Sequence, residues 1–494
     1  MQKISALSNA ILSALPLAVA RPRYSRESLS AGIVHFGIGN FHRAHLAVYL
    51  DDLFNEGLDH DWAIIGAGVT PLDEAMQARL AQQDYLTTVI EQDADRSTAR
   101  VIGSMIDFIP PSDTDRLHAT LIDPAIRIVS LTVTEGGYFL NAATGAIQVD
   151  HPDLVHDERT PDAPRTVFGH ITKALRFRHS RGIAPFTVLS CDNVPHNGAV
   201  VRAVVSAVAG QASAAFARWI ETAVSFPNAM VDRITPATGE RERAAVIAQF
   251  GVADRAPVFC EPFRQWVLQD RFPAGRPAFD RVGATFVEDV TAHEQMKLRV
   301  LNGSHAAIAY PAALLDIHFV HDAMQTRAVR RYLDKLARDE VIPTVPPPPN
   351  TDIGAYFDQI VHRFANPKIA DTIARLCVDG ASRQPKYILG SIRDRLNADA
   401  SVDGLALESA LWCRYCTGRT DSGKVTEPSD KRWSDLTRRA AMATSDPDAW
   451  LGIGDVYGET GRNPRFREAF AHALGSLGAK GTLSTLQAYA DGEF

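Results

Sequence analysis

Residues 31–50 read Ala31-Gly32-Ile33-Val34-His35-Phe36-Gly37-Ile38-Gly39-Asn40-Phe41-His42-Arg43-Ala44-His45-Leu46-Ala47-Val48-Tyr49-Leu50. The first six residues are a short β-prone run. It stops at a glycine turn, and from Phe41 the text becomes helical, with Phe41, Ala44, Val48 and Tyr49 toward one side. Strand, glycine turn and helix together open a dinucleotide-binding unit. A pyrophosphate needs backbone N–H groups at a helix N-terminus and no side chain in its way. Gly37 and Gly39 supply the tight turn and the close approach. The third glycine of the full fingerprint would fall at position 42, where this chain has His42. An ordinary strand-to-helix turn is the other reading of the same residues.

Working outward, a second strand is expected at 62–69 and further strands at 85–90, 127–134 and 185–190. Helical text lies between several of them, for example at 73–82 and 166–180. This alternation predicts an α/β layered domain. Asp73 follows the second strand, where an acidic side chain accepts from the adenosine ribose hydroxyls. A carboxylate there repels a 2′-phosphate, which favours NAD over NADP. After about residue 289 the strand signals fade. Residues 291–315 read as one long helix, followed by helices at 328–338, 353–364, 369–377, 382–396 and 406–415. The prolines of 345–350 read as a stiff extended connector. The expected division is a Rossmann-type domain over 1–288 and a mostly α-helical domain over 289–494.

The chain has 494 residues, with 46% hydrophobic and 22% charged side chains, an ordinary globular composition. Its net charge of −7 argues against a nucleic-acid partner. Five cysteines are too few and odd in number for a secreted disulfide framework, so a reducing cytoplasm is expected. Cys413 and Cys416 form a lone C-x-x-C without the second pair or nearby histidines of a zinc site. Residues 1–20 are mildly apolar but carry a proline and a single charge, which does not fit a signal peptide. No segment reaches the eighteen or so apolar residues of a membrane span. The oligomeric state is not readable from the sequence, and a monomer is compatible with it.

A second motif is Glu294-x-x-Lys297-Leu298-Arg299-Val300-Leu301-Asn302-Gly303-Ser304-His305. On an α-helix with Lys297 at zero, Glu294 sits at about 60°, His305 at about 80° and Asn302 at about 140°. Asn-Gly-Ser-His in mid-helix is poor in helix propensity, and the arc reads as the wall of a cleft rather than a solvated face. A desolvated lysine has its neutral form favoured and can act as a general base. Asn and His offer donors to a substrate oxygen. Such a set suits a metal-free alcohol oxidation. In the third motif, Ser190-Cys191-Asp192-Asn193 ends a candidate strand, where ligands of open α/β sheets sit. There Asn193 reads as a second amide donor or as part of an Asx-type turn. In the fourth motif, 226–236, Asp232-Arg233 reads as a surface pair. His42 and His45, lacking a third ligand, read as packing or capping rather than metal binding.

Together with Thr132-Val133-Thr134-Glu135-Gly136-Gly137-Tyr138 and Met230-Val231-Asp232-Arg233-Ile234, these segments resemble the polyol-specific long-chain dehydrogenase/reductase family. The resemblance runs from about residue 31 to the C-terminus, and all five segments occur in the family's order. It implies a metal-independent, NAD-dependent enzyme that interconverts a polyol and its ketose, D-mannitol and D-fructose foremost. It implies Lys297 as general base, Asn193 and Asn302 as the oxyanion hole, His305 as substrate orienter and Glu294 as gate of a proton path to water. Asp232, Arg375 and Arg383 would contact the polyol. Gly37, Ile38, Gly39, Asn40, Phe41, His42, Asp73, Thr134 and Glu135 would hold the cofactor. Two positions depart from the pattern. Arg383 stands where mannitol-active members commonly have Lys, a fork in place of a point charge. Leu72 stands where an acidic residue often precedes the aspartate. Fructuronate or tagaturonate reduction is an alternative within the family, because Arg375 and Arg383 could take a carboxylate, and D-arabinitol oxidation is another. A non-catalytic dinucleotide sensor is the alternative of another class, but it has no need of Lys297, Asn302, His305 and Asn193 together.

Overall fold

A computed structural model describes residues 5–141, 145–210 and 213–494, the side chains of Ser5 and Glu135 excepted. The chain divides into two compact units, Met1–Val290 and Thr291–Phe494. The first contains a five-stranded parallel sheet of β1 (Ala31–Phe36), β2 (Ala63–Ala67), β3 (Met105–Ile109), β4 (Ile128–Leu131) and β5 (Thr187–Ser190), in the order β3-β2-β1-β4-β5. That order reverses direction between β1 and β4, and the crevice at their carboxyl ends is the ligand position of this topology. Both faces of β1 are buried. Ile33 packs into one apolar cluster, and Val34 and Phe36 into another. A strand covered on both sides reads as a continuous apolar run rather than an alternating one.

The expected strands at 62–69, 127–134 and 185–190 are shorter than read, but they are the strands of this sheet. The strand at 85–90 is not. Thr87–Gln92 lies in a separate four-stranded sheet between Val258–Cys260 and Ser97–Ile102. The missing sheet strand is β3, separated from Ser97–Ile102 only by Gly103 and Ser104. A third sheet pairs β6 (Ala229–Asp232) antiparallel to β7 (Gln265–Gln269), which runs parallel to β8 (Thr285–Val287).

The helix expected from Phe41 onward is two helices, α1 (Asn40–Ala44) and α2 (Leu46–Asn55). They break at His45, whose φ of −124° and ψ of −93° leave the helical region. The His45 ring explains the break. Its Nε2 lies 3.0 Å from the Gln265 carbonyl, and the ring stacks on Phe41 and edges against Trp266. Next, α3 (Pro71–Ala81) follows β2, α4 (Val167–Ser180) precedes β5 and α5 (Asn197–Gly210) follows it.

The second unit is helical and has one large apolar core. The expected helix 291–315 is α6 (Thr291–Met296), a π-helical turn over Lys297–Asn302, and α7 (Gly303–Leu314). Helix α8 (Ile353–Phe364) matches its expected bounds. The expected 369–377 shrinks to the single turn α9 (Ile373–Leu376), and 382–396 breaks at Ile388 after α10 (Gly380–Tyr387). Helix α11 (Asp403–Tyr415) carries Cys413 and Cys416 at its end, both buried with thiols pushed well up by burial. No helix among the described residues is long and apolar enough to cross a membrane.

Burial holds several histidines of the first unit neutral. His35 and His45 are pushed down to about 3, His170 to about 4 and His42 well below the ordinary value. Unfolding exposes them to water, where they bind a proton near pH 6.5. The unfolded state therefore takes up protons between about pH 6.5 and pH 3, and stability falls as pH falls through that window. Asp51, raised to about 6 by burial, acts in the opposite sense, as do Glu408, raised to about 8, and Glu340 in the second unit, but these three acids stand against five buried histidines once His42 and His305 are counted. Thermal melts from pH 7 to pH 4 should show a steady loss of stability, on the order of 2–3 kcal/mol per such histidine by pH 4. His170→Gln should make that slope shallower, and an unchanged slope would refute the account.

Candidate active site

The turn after β1 sits at the reversal in strand order. Gly37 has φ +92°, and a Cβ there would run into the Thr132 carbonyl oxygen. Thr132 Oγ1 donates to the Gly37 carbonyl at 2.7 Å, which ties the end of β1 to the end of β4. Gly39 is the N-cap of α1, and a Cβ built on it meets nothing within 4 Å. The open backbone face over the first turn of α1, with its unsatisfied N–H groups, is what a phosphate group requires.

Around this turn the expected side chains divide. Ile38 is 3% exposed and packs against Gly66. Asn40 Nδ2 donates to the Pro236 carbonyl at 3.1 Å, and its Oδ1 accepts from Arg43. His42 is 1% exposed and stacks on His35 with ring centroids 3.6 Å apart. Both of its ring nitrogens are buried without a hydrogen-bond partner among the described residues, and burial holds its pKa well below the ordinary value. The His42 ring is therefore a packing element. Correcting the sequence expectation, only the backbone of this residue is available to a ligand. Arg43, 2% exposed, donates to the Gly39 and Ala256 carbonyls and locks the turn from below.

Asp73 is the N3 residue of α3, where it forms a capping box with Thr70. Its Oδ2 accepts from Val69 N at 3.0 Å, Thr70 N at 2.8 Å and Thr70 Oγ1 at 2.9 Å. All the hydrogen bonds of its side chain among the described residues fall on that one oxygen. Leu72 beside it is 84% exposed.

The carboxyl ends of β4 and β5 are held by Asp192. Its Oδ2 accepts from Val133 N at 2.9 Å and Tyr138 OH at 2.6 Å, and its Oδ1 from Thr134 N at 3.0 Å. These bonds hold Thr134 at φ +66° and ψ 164°, an outlier for a β-branched residue. Glu135 follows in a single 3₁₀ turn (Glu135–Tyr138), and its side chain lies outside the described residues. Asn193 is exposed. Asn197 is fully buried, and its amide donates to the Ser190, Asp192 and Ala229 carbonyls and accepts from Gly198 N and Ala229 N. It thereby joins the Asn193 segment to the start of β6, at whose far end lies Asp232, 6% exposed.

Arg233 is not a surface residue. It is 4% exposed and donates to Glu91 Oε1 at 2.6 Å and to the carbonyls of Glu261 and Ala44. The expected surface pair is thus a buried anchor behind Asp232.

In the second unit, Glu294 and Lys297 are each 7% exposed. Lys297 opens the π-turn and Asn302 closes it. Hydrogen bonding from i to i+5 places residues five apart about one turn apart, so Asn302 lies nearer the face of Lys297 than an α-helical wheel gives. His305, in the first turn of α7, stacks on Phe364 of α8 with centroids 4.0 Å apart. Burial pushes its pKa down to about 3, against the attraction of Asp371 and with the repulsion of Arg375, Arg363 and Arg383. Arg383 Nη1 donates to the Leu376 carbonyl at 2.6 Å. The next residue, Gln384, donates to Glu408 at 2.7 Å, and burial raises Glu408 to about 8. Sequence reasoning missed Asp192, Asn197, Phe364 and Asp371. Only the acidic spacing of Asp371 before Arg375 left a local signal. Among the described residues, no three His, Cys, Asp or Glu side chains cluster as a metal ion would need.

Residues 31–281 match the mannitol dehydrogenase Rossmann domain, and residues 289–478 match the mannitol dehydrogenase C-terminal domain. The chain is 53% identical over 473 residues to mannitol 2-dehydrogenase of Cereibacter sphaeroides, covering 95% of this chain and 98% of that one. It is 40% identical over 478 residues to mannitol 2-dehydrogenase of Aspergillus clavatus, covering 95% of each. It is similar to the structure of Pseudomonas fluorescens mannitol 2-dehydrogenase in ternary complex with NAD and D-mannitol. There the TM-score is 0.87 at 39% identity, over 99% of this chain and 100% of that one. A D-sorbitol dehydrogenase in substrate-free form gives a TM-score of 0.90 at 32% identity, over 98% and 100%.

The two glycines of the turn should respond differently to the same substitution. Gly37→Ala meets both a positive φ and a backbone oxygen and should cost more than about 2 kcal/mol in denaturant unfolding. Gly39→Ala enters open space at an N-cap and should cost less than about 1 kcal/mol. Equal losses would show that the turn is not shaped as described.

Proposed function

The chain belongs to the mannitol dehydrogenase family, and from that premise we propose that it is a metal-independent, NAD-dependent oxidoreductase that interconverts D-mannitol and D-fructose. The observation that carries this reading is the buried Lys297, on one continuous helical segment with Asn302 and His305. That set performs proton removal and oxygen polarisation, which a non-catalytic dinucleotide sensor does not need.

The turn at Gly37, Ile38 and Gly39 fits the pyrophosphate of NAD through its open backbone, with Asn40, Phe41, Thr134 and Glu135 around it. When bound, NAD(H) supplies the hydride acceptor or donor. Asp73 accepts from the ribose hydroxyls through the carboxylate oxygen that the capping box does not use.

In polyol oxidation, Lys297 takes the proton of the reacting hydroxyl, and Glu294, one turn earlier, passes it toward water. Asn302 and Asn193 donate hydrogen bonds to the oxygen as it gains carbonyl character. His305, neutral and fixed against Phe364, orients the hydroxyl without bringing a charge of its own. Asp232, Arg375 and Arg383 hold the rest of the polyol. The buried cysteines fit a reducing cytoplasm, and a monomer contains every residue named.

Three measurements test this reading. NADH oxidation with D-fructose should proceed at full rate after exhaustive chelation, and loss of activity restored by zinc would overturn metal independence. Lys297→Ala should lose about 10² to 10⁴-fold in turnover with little change in NADH binding. Because oxidation releases a proton and reduction takes one up, oxidation in the wild type should rise with pH and reduction should fall. A variant with near wild-type turnover would move the base elsewhere. Asp73→Ala should narrow the preference for NAD over NADP and also cost about 1 kcal/mol through the lost cap. An unchanged preference would remove Asp73 from the cofactor site.

A further inference from the structure

The two arginines assigned to the polyol are both tied to the single turn α9. Thr372 caps it, its Oγ1 accepting from Arg375 N at 3.3 Å. The approach to the cap is fixed by backbone bonds from Val320 N to the Asp371 carbonyl and from Ile373 N to the His318 carbonyl, each 2.9 Å. Arg383 reaches the turn from α10 and donates to the carbonyl of its last residue, Leu376.

Arg375 is held differently. Its Nε donates to Asp371 Oδ1 at 2.6 Å and its Nη2 to Asp371 Oδ2, so one whole edge of the guanidinium meets both carboxylate oxygens. The Asp371 side chain is 12% exposed and that of Arg375 is 56% exposed. Arg363 and Arg383 are the other cations acting on His305, and Asp371 is the anion that opposes them.

A guanidinium beside a second arginine is a strong receptor for a carboxylate, because the fork takes both oxygens at once. Here the Nε–Nη2 edge is already filled and the charge of Arg375 is offset. The two N–H groups of Nη1 and the outer one of Nη2 can still donate to hydroxyl oxygens, whereas an incoming carboxylate would meet the like charge of Asp371 beside it. Discrimination by a built-in repulsive group is the usual way a site rejects a close analogue.

We propose that Asp371 is the specificity-determining residue at the polyol end of the site, filling and neutralising Arg375 so that a sugar ending in a hydroxymethyl group is accepted and a uronate is refused. This rests on the reading of Arg375 as a polyol contact. It also explains how two arginines can serve a neutral substrate without turning the enzyme toward acids.

The probes are D-fructose and D-fructuronate, which differ in a terminal hydroxymethyl group against a carboxylate. NADH oxidation gives kcat/KM for each. The wild type should prefer D-fructose by at least about tenfold, equivalent to about 1.4 kcal/mol. In Asp371→Asn and Asp371→Ala the ratio of D-fructuronate to D-fructose should rise by at least about tenfold, chiefly through a lower KM for the uronate. Asp371→Glu should keep the wild-type ratio. In an Arg375→Leu background, Asp371→Asn should leave the ratio unmoved. A purely structural role would lower both substrates together in every background. That result, or equal use of both sugars by the wild type, overturns the proposal. The isosteric Asn variant, checked by its NADH binding, keeps the test decisive even where the Ala variant does not fold. Absence of wild-type D-fructose reduction overturns the proposed function, and the role of Asp371 falls with it. Retained D-fructose reduction with an unmoved ratio overturns the role of Asp371 alone.

Discussion

A carboxylate taken out of water must find hydrogen bonds for its lone pairs or it will not stay ionised. Asp192 meets that requirement by accepting from Val133 N, Thr134 N and Tyr138 OH. Its demands set the geometry at the carboxyl ends of two parallel strands. Thr134 is held in a backbone conformation that a β-branched residue would leave if it were free. Asn193 follows Asp192 directly, so its position is inherited from the same bonds. Asn197 then carries the constraint to the third sheet through Ala229, at the opposite end of the strand that ends in Asp232. Buried polar residues, rather than apolar packing, align the segments that the sequence marks as chemical.

What could be read from the sequence was what short spacing encodes. The strand and glycine turn at 31–39, the helix at 353–364 and the set of Lys297, Asn302 and His305 all depend on neighbours within about a dozen residues. What could not be read depends on partners far along the chain. His45 breaks a good helical pattern because it reaches Gln265, 220 positions away. Arg233 looks like a surface residue until Glu91, 142 positions earlier, is placed against it. His42 occupies a fingerprint position, yet it turns inward because His35, on the strand behind it, offers a ring to stack on. The strand β3 was missed because only Gly103 and Ser104 divide it from a strand of another sheet.

Both units bury ionisable groups and hold them with donors and acceptors from other parts of the chain. In the first, histidines are buried and neutral, and arginines such as Arg43 and Arg233 spend their donors on backbone carbonyls. In the second, Arg375 and Arg383 near His305 are held by one short helical turn, and the acids Glu340 and Glu408 are buried against backbone amides and Gln384. Glu340 accepts from Gly404 N and Leu405 N in the first turn of α11, so this carboxylate completes a helix start from another part of the chain.

The π-turn between Lys297 and Asn302 gives the helix one residue more than an α-helix of the same path would hold. The extra residue is absorbed within the turn itself. Deleting any one residue from 298–301 would let the turn relax into a regular α-helix, a change that favours local hydrogen bonding. Lys297 and the asparagine would then stand four residues apart, about 40° from each other on the wheel, so the residues on either side would keep nearly their present facing. Such a chain would fold with its helical segment more regular than before and with its lysine and asparagine still on one face. A one-residue difference between homologous chains at 298–301 would therefore be expected to show as the presence or absence of the bulge, with the polar face retained.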